Sequence, residues 1–153
     1  MQAQRFSRRS SDKHSRGAAA VEFALILPLF LAIVLGIVEF GRAMMVGQLV
    51  TNAAREGARL AVVSGTTNAQ VEAAVVDNLE RTLGITTGSN GVSVDCSVEP
   101  DAGNPSAGDE FSNASPRDLC NIEVRVSHDV VKLLGLTYLG NTDFVGRSSM
   151  RHE

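Results

Sequence analysis

Gly17 and Glu22 are the first candidates for chemistry in this chain, because they join a basic arm to an apolar segment. Glu22 is the only charged residue in positions 18–38, and positions 23–38 contain none. A carboxylate inside a membrane segment is costly, and such groups commonly have a functional partner. Glu22 is therefore interpreted either as a group that binds a positive charge or as a residue just outside the hydrocarbon that caps the helix.

The apolar segment is long enough to cross a membrane. About 21 helical residues at 1.5 Å each span roughly 30 Å, the thickness of the hydrocarbon core. A secretory signal peptide is the alternative, but its apolar region has only ~7–15 residues. Positive charge stays on the cytoplasmic side, so we predict a cytoplasmic N-terminus and an extracytoplasmic C-terminal part. The basic residues before the segment are Arg5, Arg8, Arg9, Lys13 and Arg16.

The residues from Gly17 onward resemble the processing site of a type IV prepilin. That site has a glycine, four further residues, a glutamate and an aromatic residue, which here are Gly17, positions 18–21, Glu22 and Phe23. Two later blocks follow in order, GIVEFGR at 36–42 and NAAREGAR at 52–59. Together they make the chain similar, over roughly positions 17–63, to the TadE-like minor pseudopilins of the tight-adherence (Flp-type) pilus.

This resemblance implies a role in assembly or structure of a pilus at the bacterial inner membrane. A membrane-embedded prepilin peptidase would cut between Gly17 and Ala18. Glu22 and Phe23 would serve processing and assembly, and Glu22 would meet the freed α-amino group of Ala18 on a neighbouring subunit. Other pilins, pseudopilins and the pilus assembly machinery are the implied partners. The alternative is an uncleaved, single-span, membrane-anchored binding module outside the cytoplasm.

The organisation that we predict has three parts: a basic leader at 1–17, a long helix at 18–63 and a small domain at 64–153. The helix crosses the membrane at about 18–38 and is amphipathic beyond it. Glycine costs a water-exposed helix ~1 kcal/mol relative to alanine, so its stripe of small residues needs a packing partner. Both the chain's own domain and other subunits remain open as that partner. The stripe includes Gly36, Ala43, Gly47, Ala54 and Gly57, with Phe40 at the same spacing, whereas Glu39 lies on the opposite, polar side.

The domain at 64–153 is predicted to be α+β, with a second helix and a short antiparallel sheet. The helix runs from about Asn68 to Leu83, with Asn68 as its cap and Gly84 after its end. Apolar and polar residues alternate at 92–99 and 122–127, which is typical of half-buried strands. A third strand is expected at 143–151. The apolar stretch at 130–139 is compatible with either helix or loop.

Cys96 and Cys120 are predicted to form a disulfide, because an oxidising outer compartment favours one. Free thiols and metal ligands are the alternatives, although no CxxC spacing supports a metal and His128 stands alone. The loop between the cysteines is acidic and is expected to be solvated, since its acids lack the spacing of a calcium loop.

No catalytic set of nucleophile and base, phosphate-binding loop or metal cluster occurs in the sequence. We therefore expect no enzymatic activity, no cofactor and no small-molecule substrate. The basic arm could contact nucleic acid in isolation, but its position before an apolar segment favours a role in topology. The implied partners are the membrane and proteins within it.

Overall fold

The computed structural model describes residues 12–84, 91–105, 108–127 and 143–153, with side chains from residue 17 onward. Two helices precede three strands, and a short 3-10 turn, Phe111–Asn113, lies between the first two strands. The predicted α+β fold class is confirmed. The stretch at 130–139 and His128 lie outside the described residues. The elements are α1 (Asp12–Ala61), α2 (Asn68–Leu83), β1 (Val92–Glu99), β2 (Leu119–Val126) and β3 (Phe144–Arg151).

The chain forms two compact units, Met1–Val38 and Glu39–Glu153. Within the first unit, every described side chain is exposed except Leu27, which is half-buried. The described part of this unit is a stretch of α1. Its apolar surface is not covered by other described residues.

Helix α1 begins at Asp12, not near Ala18 as the sequence analysis predicts. Lysine and arginine are good helix formers, and one glycine costs a helix only ~1 kcal/mol, so Gly17 does not end it. The helix also continues through Pro28. Residues 12–16, at the end of the basic arm, therefore share one helix with the apolar segment.

The described residues of the second unit form an apolar core between α1, α2 and one face of the sheet. The strands are antiparallel in the order β1-β2-β3. Alternate residues of β2 point inward, which confirms the predicted alternation. Phe111, from the turn between β1 and β2, is also fully enclosed. The main buried residues are Val46, Val50, Ala53, Ala54, Ala58, Val71, Val75, Leu79, Cys120, Ile122, Val124 and Val126.

Helix α2 has the predicted length but a different cap. Thr67 is the N-cap, and it forms a capping box in which its side chain and that of Gln70 each bond the other's backbone N–H. Asn68 instead anchors the loop before β2: its Nδ2 donates to the Asp109 carbonyl, and its Oδ1 accepts from the Phe111 N–H at 3.0 Å. These two hydrogen bonds hold Phe111 in the core. The C-terminal end is as predicted, with Gly84 at φ +66°.

The predicted disulfide is absent, and both thiols are free. In the β1–β2 register Cys96 lies opposite Ile122, and Cys120 lies opposite Val98. The two cysteines are therefore diagonal neighbours, which typically are about 7–8 Å apart, too far for a disulfide without a backbone shift. Burial, with a smaller contribution from nearby acids, raises the pKa of Cys96 to about 11. Burial also raises the pKa of Cys120.

Asp118 corrects the prediction that the loop at 100–118 is solvated throughout, because its side chain is fully buried. Its carboxylate accepts hydrogen bonds from Asn104 Nδ2 at 2.7 Å and from the N–H groups of Asp101 and Ser115, both at 2.8 Å. The bond from Asn104, followed by that from Asp101, lowers the pKa of Asp118. Asp118 thus organises the loop as a structural group. Among the described residues, no cluster of three or more acids, histidines or cysteines could hold a metal ion.

Candidate functional site on the long helix

The predicted processing residues lie together in the apolar stretch of α1. Gly17, Ala18, Glu22 and Phe23 are all exposed. Ala18 and Glu22 are four residues apart, so they occupy one face of the helix on successive turns. A Cβ atom on Gly17 would meet nothing within 4 Å. The described chain therefore gives no packing reason for glycine at this position.

One helix in the described part of the chain, over Gly17–Ala61, is long and apolar enough to cross a membrane. Its most apolar 18-residue stretch has a mean hydropathy of 2.7, and none of that stretch is buried. Large side chains such as Phe23 and Leu25 are more than half exposed. This surface is suited to lipid or to apolar helices of other chains.

The small-residue stripe divides into two parts with different surroundings. Ala54 and Gly57 are buried. A Cβ on Gly57 would lie 2.6 Å from Val75 Cγ2 and 3.2 Å from Ile122 Cδ1. Helix α2 and strand β2 therefore pack directly onto this glycine. At Gly36 and Gly47 a Cβ would meet nothing within 4 Å.

A shallow groove lies beside Gly47 in the second unit. Gly47 and Ala43 are half-buried and form part of its wall, and the Thr51 hydroxyl donates to the Gly47 carbonyl at 2.8 Å. The groove exposes more apolar than polar surface. Its lining residues are Ala43, Met44, Gly47, Gln48, Thr51, Asn52, Arg55 and Phe144.

The buried face of α1 differs from the predicted one at its start. The sequence analysis predicts that Phe40 lies on the packing stripe and Glu39 on the polar side, but Phe40 is 60% exposed and Glu39 only 6%. Glu39 lies seven residues, almost two full turns, before the fully buried Val46. The two side chains therefore lie on the same face of α1, and the burial of Glu39 follows from its spacing to Val46.

Gly146 is a structural residue that the sequence analysis does not single out. A Cβ at this position of β3 would lie 2.6 Å from the Val50 carbonyl oxygen and 2.8 Å from the Thr51 nitrogen. The strand backbone thus touches the backbone of α1. Glycine inside a strand commonly marks such an approach, and this signal was available in the sequence.

Comparison with known proteins supports the resemblance over the same helix. Residues 17–59 match the family model described as TadE-like protein, so the match starts at Gly17 and includes both later blocks. The predicted TadE-like resemblance is confirmed, and the family indicates a role in the tight-adherence pilus. It is not a family of enzymes. No match was found among curated proteins or among solved structures.

Proposed function

We propose that this TadE-like protein is a minor pseudopilin that acts in the assembly or structure of a tight-adherence pilus. A prepilin peptidase would remove residues 1–17 by cutting between Gly17 and Ala18. The observation that carries the proposal is the coincidence of the family match, which begins at Gly17, with the spacing of Gly17, Glu22 and Phe23. The exposure of this segment on α1 would leave it accessible to the peptidase.

The proposed topology is a single pass through the bacterial inner membrane, with the N-terminus in the cytoplasm. Residues 1–17 carry five basic residues and one acid, whereas residues 39–153 carry nine basic and fifteen acidic residues. The excess of basic residues before the apolar segment favours a cytoplasmic basic arm and an extracytoplasmic second unit. The partners in this proposal are the membrane, the peptidase, other pilins or pseudopilins and the assembly machinery.

Glu22 is proposed to pair with the freed α-amino group of Ala18 on a neighbouring subunit. Glu22 is exposed and takes part in none of the ion pairs found among the described side chains. A lone carboxylate in hydrocarbon is costly, and a cationic partner from another chain would offset that cost. Cleavage would create this cation, so processing and assembly would be coupled.

Intact-mass analysis of the protein purified from membranes tests the processing step. The wild-type chain should lack residues 1–17, and Gly17→Leu should remain full-length because the peptidase admits little side chain before the cut. Gly36→Leu is the matched control, since both glycines face open space in the described chain; it should be cleaved normally. A wild-type chain that retains residues 1–17 would favour the uncleaved, membrane-anchored binding module.

A Glu22→Gln variant tests the assembly step, because it keeps the size of the side chain and removes its charge. Membrane insertion should persist, while pilus formation and co-purification with other pilus subunits should fall. Glu56→Gln removes an exposed charge further along the same helix and should have no such effect. Only samples with normal cleavage are compared, and normal piliation by cleaved Glu22→Gln would reject the pairing.

A further inference from the structure

We propose that the lipid-contacting part of α1 extends past Val38 to about Gly47, so that Phe40, Met44 and Met45 lie in the bilayer. The inference requires α1 to be in a membrane but does not depend on cleavage or on a role in a pilus. It revises the boundary at residue 38 that the charge pattern alone predicts.

Large apolar side chains of α1 remain exposed beyond residue 38. Phe40, Met44 and Met45 are all more than half exposed, although they belong to the second unit, which has its own core. Large exposed apolar side chains that cluster together mark a surface that another apolar phase or molecule covers. These three continue the exposed apolar surface of the preceding residues without a break in the helix.

The exposed side of α1 changes in polarity along the helix. The exposed residues are apolar up to Met45, then neutral and polar at Gln48 and Asn52. They become charged at Arg55, Glu56 and Arg59. A bilayer presents the same order along its normal, from hydrocarbon through headgroups to water. The free-energy cost of a charged side chain falls along this path.

The extended segment between Val38 and Gly47 contains two charged residues, Glu39 and Arg42. Glu39 is buried, and Arg42 is half-buried and has an interaction partner. From Phe23 to Gly47, none of the exposed described side chains carries a charge. Charged residues at membrane depth usually face protein and not lipid, and both residues follow that rule.

The length of the segment fits a bilayer. The 30 positions from Ala18 to Gly47 span about 45 Å as a helix, which exceeds the ~30 Å hydrocarbon core but matches the upper end of the ~40–45 Å that includes the interfacial layers. Helices in membranes are also commonly tilted by ~20°. Met44 and Met45 would then lie near the outer interface.

Lipid is favoured over a second subunit as the occupant of this surface. Contacts between membrane helices usually form through small residues. Here the small residues Ala43 and Gly47 are half-buried, and Gly41 is the one small residue that is exposed among described positions 39–47. The other exposed positions in this stretch hold the large side chains of Phe40, Met44 and Met45. The exposed surface at Phe40, Met44 and Met45 therefore has the character of a lipid-facing side.

The absence of tryptophan from the sequence allows a direct test. Single replacements Phe40→Trp, Met45→Trp and Asn52→Trp are made in the full-length chain, which is reconstituted into phosphatidylcholine vesicles with or without bromine on the upper acyl chain. Asn52→Trp is the matched control, two turns beyond Met45 and also exposed. Leu29→Trp, exposed in the apolar stretch, reports correct insertion.

We expect Phe40→Trp and Met45→Trp to emit at shorter wavelength than Asn52→Trp and to lose at least half of their intensity in brominated vesicles. Asn52→Trp should show no quenching by bromine. If Met45→Trp emits as in water, the boundary lies before it and the proposal fails. If its emission is blue-shifted but not quenched, and reddens when the chain is diluted to one copy per vesicle, a second subunit covers the surface and the proposal also fails.

Discussion

Gly36 and Gly57 lie in the same helix and on the same predicted stripe, yet they have different surroundings. Val75 and Ile122 occupy the space that a Cβ on Gly57 would need, while Gly36 faces open space in the described chain. The described residues give no packing reason for Gly36, whereas the packing of the second unit requires a glycine at position 57. One stripe of small residues in a sequence can therefore contain positions that pack within the chain's own domain and positions that do not. Only the structure around each position distinguishes the two kinds.

The largest effect on stability is expected at Gly146, where backbone meets backbone. In Gly146→Ala the new Cβ would lie 2.6 Å from the Val50 carbonyl oxygen, and neither backbone can move without displacing β3 or α1. We expect the free energy of unfolding to fall by about 3 kcal/mol, the upper end of the usual cost of overpacking. Urea unfolding of the full chain in detergent, followed by circular dichroism, measures it. An unchanged midpoint would show that the strand does not touch the helix.

Gly57→Ala should have a smaller but clear effect. Its Cβ would lie 2.6 Å from a methyl group of Val75, which is β-branched and stiff. At so short a distance the cost of overpacking lies in the upper part of its usual range, about 2–3 kcal/mol, and roughly 1 kcal/mol of helix propensity offsets part of it. We therefore expect a net loss of about 1–2 kcal/mol in the same unfolding measurement. A companion Val75→Ala change should restore part of the loss if this contact is its cause.

Acid should weaken the second unit through Asp118. Its pKa is lowered from the ordinary value of 3.8, so its contribution to stability is present above that value and is lost as the pH falls through the folded-state pKa. The urea midpoint should thus decrease from about pH 5 to about pH 2. Glu123, whose pKa is lowered chiefly by its hydrogen bond from Arg147, adds to this decrease.

Asp118→Asn should be less stable at neutral pH, because an amide NH₂ cannot accept the hydrogen bond from the Ser115 N–H. Its acid dependence should also be shallower than that of the wild type. If the two chains lose stability in parallel between about pH 5 and pH 2, another group causes the acid effect.

Gly47→Ala should have the smallest effect on the stability of the monomer, and it tests whether Gly47 differs from Gly57 in its surroundings. Since a Cβ meets nothing at Gly47, the change should raise the free energy of unfolding by about 0.5–1 kcal/mol through helix propensity alone. If Gly47 instead packs on another subunit, pilus formation should fall while the monomer is stabilised. A destabilised monomer would mean that another part of the second unit contacts this glycine.

Local patterns in the sequence were sufficient to predict the regular elements. The period of Val71, Val75 and Leu79 identified α2, and the alternation at 92–99 and 122–127 identified two strands, because burial of one face determines which residue types recur. The cap of α2 was assigned one residue too late. Thr67 and Gln70 have the spacing of a capping box, but Asn68 is an equally good cap by residue type.

Features that depend on distant partners could not be predicted from the sequence. The register places Cys96 opposite Ile122, and no local signal distinguishes this pairing from one that joins the cysteines. Asp118 is buried because Asn104 and two N–H groups fold back onto it, which residue spacing does not reveal. The processing residues, in contrast, are contiguous in α1, so the motif could be recognised without a fold.

The contact between Gly146 and Val50 has a consequence for how the chain is made. The two residues are about 100 positions apart, which corresponds to roughly 5–20 s of synthesis at 5–20 residues per second. During that interval β3 cannot cover α1 around Val50, and this part of the helix keeps an apolar face uncovered. Slower translation or export would lengthen the interval and, with it, the time in which nascent chains can associate incorrectly.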